Sequence, residues 1–80
     1  MIKPKDLIVG KCYFYKGSIS RGYIADSHNS HNWKIIEPTW DLPFMIAKVI
    51  FDNGWNVKIL QKDKTFWIYP SSFDEFIEPT

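Results

Sequence analysis

Phe44-Met45-Ile46-Ala47-Lys48-Val49-Ile50-Phe51-Asp52-Asn53-Gly54-Trp55-Asn56-Val57-Lys58-Ile59-Leu60 is the stretch on which the fold turns. Two runs rich in β-branched and aromatic residues flank Asp52-Asn53-Gly54, and such a sequence supplies the positive φ that a tight hairpin needs. Two registers compete. A two-residue Asn-Gly turn sets Val49 opposite Lys58 and Phe51 opposite Asn56, mixing polar and apolar side chains on one face. A three-residue loop with Gly54 left-handed pairs Phe51 with Trp55, Val49 with Val57 and Ala47 with Ile59, and leaves Lys48 opposite Lys58 on the other face. The second arrangement segregates the faces and is the one expected, because a slip of one residue exchanges core for solvent. It makes Trp55 a core residue.

Toward the C-terminus, a further strand is expected over Thr65–Tyr69, followed by Pro70-Ser71-Ser72-Phe73-Asp74-Glu75-Phe76. Ser72 with Glu75 three residues on fits a capping box and predicts one short helical turn. Ile77 then has room for a last β contact before Pro79. Toward the N-terminus, Pro4-Lys5-Asp6-Leu7 reads as a turn and Lys11–Lys16 as the first strand, ended by Gly17. Alternation sets Cys12 and Phe14 on one face and Tyr13 and Tyr15 on the other. Cys12 is expected to be a small buried hydrophobe. Between Gly17 and Pro43 the periodicity fades. Gly22-Tyr23-Ile24-Ala25 and Trp33-Lys34-Ile35-Ile36 are expected to pair as an irregular hairpin, with the intervening Ser/His/Asn run at its tip.

The composition bounds the function. Residues 1–80 make one domain, in which 45% hydrophobic and 18% aromatic residues provide for a core and 24% charged residues provide an ordinary surface. A net charge of +1 and a single arginine, Arg21, give no general basic excess for nucleic acid. One cysteine allows no internal disulfide, and Met1-Ile2-Lys3-Pro4-Lys5-Asp6 does not read as a secretory leader, so a cytoplasmic location is expected. No apolar stretch approaches membrane-spanning length, so no membrane partner is expected. Abundant lysine, isoleucine and aromatics with almost no arginine suit an AT-rich coding sequence, of the kind bacteriophages and mobile elements carry.

The element order resembles that of an SH3-like barrel: first strand, long irregular loop, tight hairpin, strand, short turn, closing strand. Phe66-Trp67-Ile68-Tyr69-Pro70-Ser71-Ser72-Phe73 carries the resemblance most directly, as a strand running into a Pro-Ser step and an aromatic before the last strand. It implies a small, mostly-β, partly open barrel of about five strands. In peptide-binding members of that family, Pro70 and Phe73 would match the proline and aromatic of the groove. Ile68 stands where those members carry a groove tyrosine, and Gly17–Pro43 holds only Asp26, Glu37 and Asp41 as acids. Both departures weigh against recognition of proline-rich peptides. Other SH3-like barrels include Tudor-like and KOW-like modules and small phage proteins.

Few residues point to chemistry. Asp26-Ser27-His28 with His31 is the one polar cluster, but a structural zinc needs four ligands, and only Cys12 would join Asp26 to complete the set. Solvated loop tips have this composition. Ser27 or Cys12 as a nucleophile would need a histidine base, an orienting group and an oxyanion site, and neither a nucleophile elbow nor a phosphate-cradling loop is encoded. No enzyme activity, metal or cofactor is expected.

The aromatics say more. Four tryptophans, four tyrosines and six phenylalanines are too many for a small barrel to enclose, and surplus tryptophan and tyrosine mark contact surfaces. Trp33, Trp40, Tyr23, Trp67 and Tyr69 are the candidate contacts for a protein partner, with Trp33 and Trp40 equally readable as a second small core. Lys48, Lys58, Lys62 and Lys64 are a candidate face for an anionic partner, or an ordinary solvated face. The leading expectation is a protein-binding module, of phage or mobile-element origin, that occludes a host protein. The alternative is a nucleic-acid-associated Tudor- or KOW-like module using the lysines and nearby aromatics.

Overall fold

The structure is a computed structural model that describes residues 1–19 and 21–79. Its elements are a 3₁₀ turn Pro4–Asp6 and strands β1 Cys12–Lys16, β2 Gly22–Ala25, β3 Trp33–Ile36, β4 Phe44–Phe51, β5 Trp55–Gln61, β6 Lys64–Ile68 and β7 Glu75–Ile77. All seven lie in one open antiparallel sheet, ordered β3-β2-β6-β5-β4-β1-β7. The strands exceed the expected five because the Gly17–Pro43 excursion builds β2 and β3, paired over their whole length from Gly22↔Ile36 to Ala25↔Trp33.

The hairpin register is as expected near the turn and shifts away from it. Phe51 pairs with Trp55, Val49 with Val57 and Lys48 with Lys58, with Gly54 at φ 122°. Beyond Lys48, Ile59 faces Ile46 instead of Ala47 because a bulge lies between Ile46 and Lys48. The bulge reverses which side chains of β4 face inward. In the unbulged register Met45 and Ala47 would point to the core. With it, the larger Phe44 and Ile46 do, and both are fully buried.

The inner face collects Tyr13, Phe44, Ile46, Val57, Ile59, Phe66, Ile68 and Phe76. Phe76 is wedged edge-on against Tyr13 and Phe44 and tilted against Tyr15. This aromatic packing fixes the orientation of β1, and it corrects the reading of Cys12. With Tyr13 buried and Tyr15 packed on the core, Cys12 is exposed. Trp55 is also displaced from its expected place. It stands half-buried at the hairpin end and packs on Phe51, ring centroids 4.9 Å apart, outside the core cluster.

The expected C-terminal helical turn is a hydrogen-bonded turn instead, and the capping residues lie one position earlier than expected. Ser71 Oγ accepts from Phe73 N–H at 3.0 Å, and Asp74 Oδ2 accepts from Ser71 N–H at 3.0 Å. The box is therefore Ser71 with Asp74. Asp74 is held there because it also accepts from the Tyr15 hydroxyl at 2.5 Å, a bond across the sheet that Glu75 does not make. The one 3₁₀ turn in the described residues lies at Pro4–Asp6, where proline presets the first dihedral.

Two buried amides hold the irregular parts. Gln61 accepts from Thr39 N–H at 2.9 Å and donates to the carbonyls of Thr39 and Leu42, pinning the β3–β4 connection. Asn56 donates to the carbonyls of Asp52 and Gly54 and so ties down the hairpin loop. No helix is long and apolar enough to cross a membrane.

Candidate functional site

The face of the sheet opposite the core carries the candidate site. Inward-facing Gly22 lies so close to Phe66 that a Cβ there would collide with the ring, and this close approach seats β2 on β6. Tyr23, the next residue, therefore points outward. Cross-strand pairing then builds one row: Ile35 opposite Tyr23, Tyr23 opposite Trp67, Trp67 opposite Lys58, and Lys58 opposite Lys48.

Tyr23, Trp33 and Tyr69 meet at one end of this face. The Tyr23 and Trp33 rings are edge-on with centroids 5.3 Å apart, and Tyr23 and Tyr69 are tilted at 5.4 Å. With Ala25 and Ser30 they line a hollow of about 290 Å³. A second hollow of about 260 Å³ lies on the other side of Tyr23 and Tyr69, lined by Ser18, Ile19 and Arg21. Trp33 is 54% exposed, a large apolar surface for a ring already held by a neighbour. Burial raises the pKa of the Tyr69 phenol, and the nearby Tyr23 raises it further. The Tyr69 hydroxyl stays protonated and donates to the His28 carbonyl at 3.4 Å.

Trp67 belongs to the same face but is only 2% exposed. His28 covers it from one side, rings 5.7 Å apart, and Lys58 Nζ lies 5.9 Å from its ring centroid. His28 is fixed there by Asp52, whose Oδ2 is 2.9 Å from Nε2. The β2–β3 loop thus closes over Trp67 and docks on the β4–β5 turn. Trp40 is on the other side of the sheet altogether. It packs on Tyr15 at 5.2 Å and Phe44 at 6.1 Å, half-buried against the core. Of the expected aromatic contacts, Tyr23, Trp33 and Tyr69 come together, Trp67 lies covered in the strand beside Tyr23, and Trp40 packs against the core on the other side.

The lysines do not form one face. Lys48 and Lys58 are opposed on the outer side as expected. Lys64 pairs with the inward Gln61 at the far end of the β5–β6 hairpin, and Lys62 sits in its turn and donates to Thr39 Oγ1. That turn places Lys62 and Asp63 both at positive φ, a two-residue type of turn that the sequence does not advertise with glycine or asparagine.

The polar loop does not assemble a reactive centre. Ser27 donates to Asn29 while His28 is engaged by Asp52, so the two are not joined as nucleophile and base. Among the described residues, no three His, Cys, Asp or Glu side chains gather as a metal site. Sequence reasoning missed His28 as a lid and Gln61 as a clamp. Their partners are 24 and 22 residues away in the chain, and no local pattern encodes either contact. No protein-family model, curated protein or solved structure matches this chain.

Proposed function

We propose that the chain is a protein-binding module on an SH3-like scaffold, with Tyr23, Trp33 and Tyr69 as its contact surface. The observation that carries this reading is the exposure of Trp33 within a preformed aromatic cluster. Rigid rings bind at low ordering cost, and an exposed tryptophan beside a hollow is the usual form of an interface anchor. The SH3-like assignment rests on the order of elements, with the Pro70-Ser71 step leading through Phe73 into a closing strand that pairs with β1. A module of this kind acts by covering a surface of its partner, which accords with a phage-type inhibitor of a host protein. We assign it no catalytic step.

The nucleic-acid alternative has one feature in its favour, the row in which Tyr23 and Trp67 adjoin Lys58 and Lys48. Base stacking needs an open ring face, and Trp67 is covered by His28 and Lys58. Protein binding is therefore the better-supported reading. A photo-crosslinking amino acid at position 33 should capture a protein in the native host. Trp33→Ala should then weaken binding of that purified protein by at least tenfold. Capture of nucleic acid, with affinity falling steeply as salt rises, would overturn the reading in favour of the alternative.

A further inference from the structure

The two edges of the sheet are not alike. Outside β7 lies the N-terminal segment: Ile2 N–H donates to Phe76 O at 2.8 Å, and Phe76 N–H donates to Ile2 O at 2.7 Å. Outside β3, at the opposite edge, no strand is paired among the described residues. An open edge presents unpaired N–H and C=O groups, a template that proteins ordinarily blunt with charge, proline or a covering segment. On β3 only Lys34 serves that purpose. Its neighbours Trp33 and Ile35 are 54% and 46% exposed, and both stand on the outer face beside Tyr23.

Building on the protein-binding reading above, we infer that β3 accepts an extended segment of the partner protein as an eighth, antiparallel strand. That segment carries an acidic residue opposite Lys34, set between apolar residues opposite Trp33 and Ile35. Edge pairing supplies affinity through the backbone, and the alternating side chains supply specificity. Lys34 has no ion pair among the described residues, and an opposite charge directly across a strand pair stabilises it.

The same reasoning argues against a second copy of this chain as occupant. Directly opposed residues in an antiparallel pair share a face, so two-fold self-pairing has two registers that use most of β3. One is centred on Lys34 and sets it against itself. The other is centred on Ile35 and sets Lys34 against Ile36 and Trp33 against Glu37. The first opposes like charges and the second opposes charges to apolar groups. An apolar–acidic–apolar strand fits without either conflict.

The test is a nuclear magnetic resonance titration of the labelled protein with a blocked synthetic peptide, Thr-Thr-Ile-Glu-Ile-Thr-Thr, to several millimolar. Saturable shifts should centre on the backbone of residues 33–36. Replacing the peptide glutamate by lysine should weaken binding about threefold to fivefold, and Lys34→Glu should reverse that preference. N-methylation of one set of alternate peptide amides should abolish binding, while methylation of the other set should be tolerated. Tolerance of both sets, or a charge preference unmoved by Lys34→Glu, would overturn edge pairing. Absence of any shift, or dimerisation through β3 in sedimentation, would also overturn it. The crosslink and Trp33→Ala assays stand apart from these outcomes, so loss of the strand model would leave the aromatic-site reading to be judged by them.

Discussion

Trp33 and Trp40 are seven positions apart and lie in opposite settings, one exposed and one packed against the core. Composition alone gave them equal claims to contact and to core, since both lie among glycine, proline and polar residues. What separates them is long-range. Trp33 is placed on the outer face by its pairing with Ala25, while Trp40 is pressed toward Tyr15 and Phe44 by a loop that Gln61 pins. Trp33→Ala should leave the melting temperature nearly unchanged, and Trp40→Ala should cost about 3 kcal/mol, the low end for aromatic truncation in a core. Thermal and urea unfolding of the two variants checks both. Tyr15 offers a second test at this scale. Burial is the main cause that raises its phenol pKa, and the bond to Asp74 adds to the rise. The folded state therefore keeps a proton that the unfolded chain releases near pH 10. The stability this contributes is fully present below that pH and declines as pH rises above it. Denaturation midpoints should hold up to about pH 10 and fall beyond it, with Tyr69 contributing in the same direction. Tyr15→Phe should be less stable at neutral pH yet lose less on going alkaline.

The elements were largely legible, because strand patterning and turn chemistry are local. The hairpin loop, the pairing of Lys48 with Lys58 and the extents of β2 and β3 follow from neighbouring residues. The bulge in β4 does not, since it is selected by the preference of the whole core for Phe44 and Ile46 over Met45 and Ala47. The capping residues were misplaced by one position for the same kind of reason: Tyr15, distant in sequence, recruits Asp74. At Gly54, φ is 122° and a Cβ would meet nothing within 4 Å. The cost of a side chain is thus backbone strain alone, and Gly54→Val should destabilise by more than about 1 kcal/mol in chemical denaturation. Lys48 and Lys58 are opposed like charges, but Lys58 lies over Trp67 while Lys48 is exposed. Lys48→Gln should therefore be neutral or slightly stabilising by thermal melting. Lys58→Gln should not gain, because the repulsion it relieves is offset by the lost contact with the ring.

As a whole molecule, the sheet is assembled from pairings distant in sequence. β1 lies between β4 and β7, so the first strand completes its hydrogen bonding only with residues more than fifty positions later. The succession of strands and turns along the chain could be read from the sequence. The cover that Ile2 gives the β7 edge by bridging to Phe76 could not, since a lone isoleucine ahead of a proline carries no strand pattern. Phe76 joins these distant parts, packing on Tyr13, Tyr15 and Phe44 at once. Phe76→Ala should cost about 4 kcal/mol, measurable as a loss of the cooperative unfolding transition or a large fall in its midpoint. The placement of Phe76 also governs how the molecule is made. On the ribosome, β1 emerges early and must wait, its aromatic side chains unsheltered, until the segment around Phe76 has cleared the exit tunnel. Folding then waits for that segment to be made, and throughout that interval the nascent chain is open to proteases.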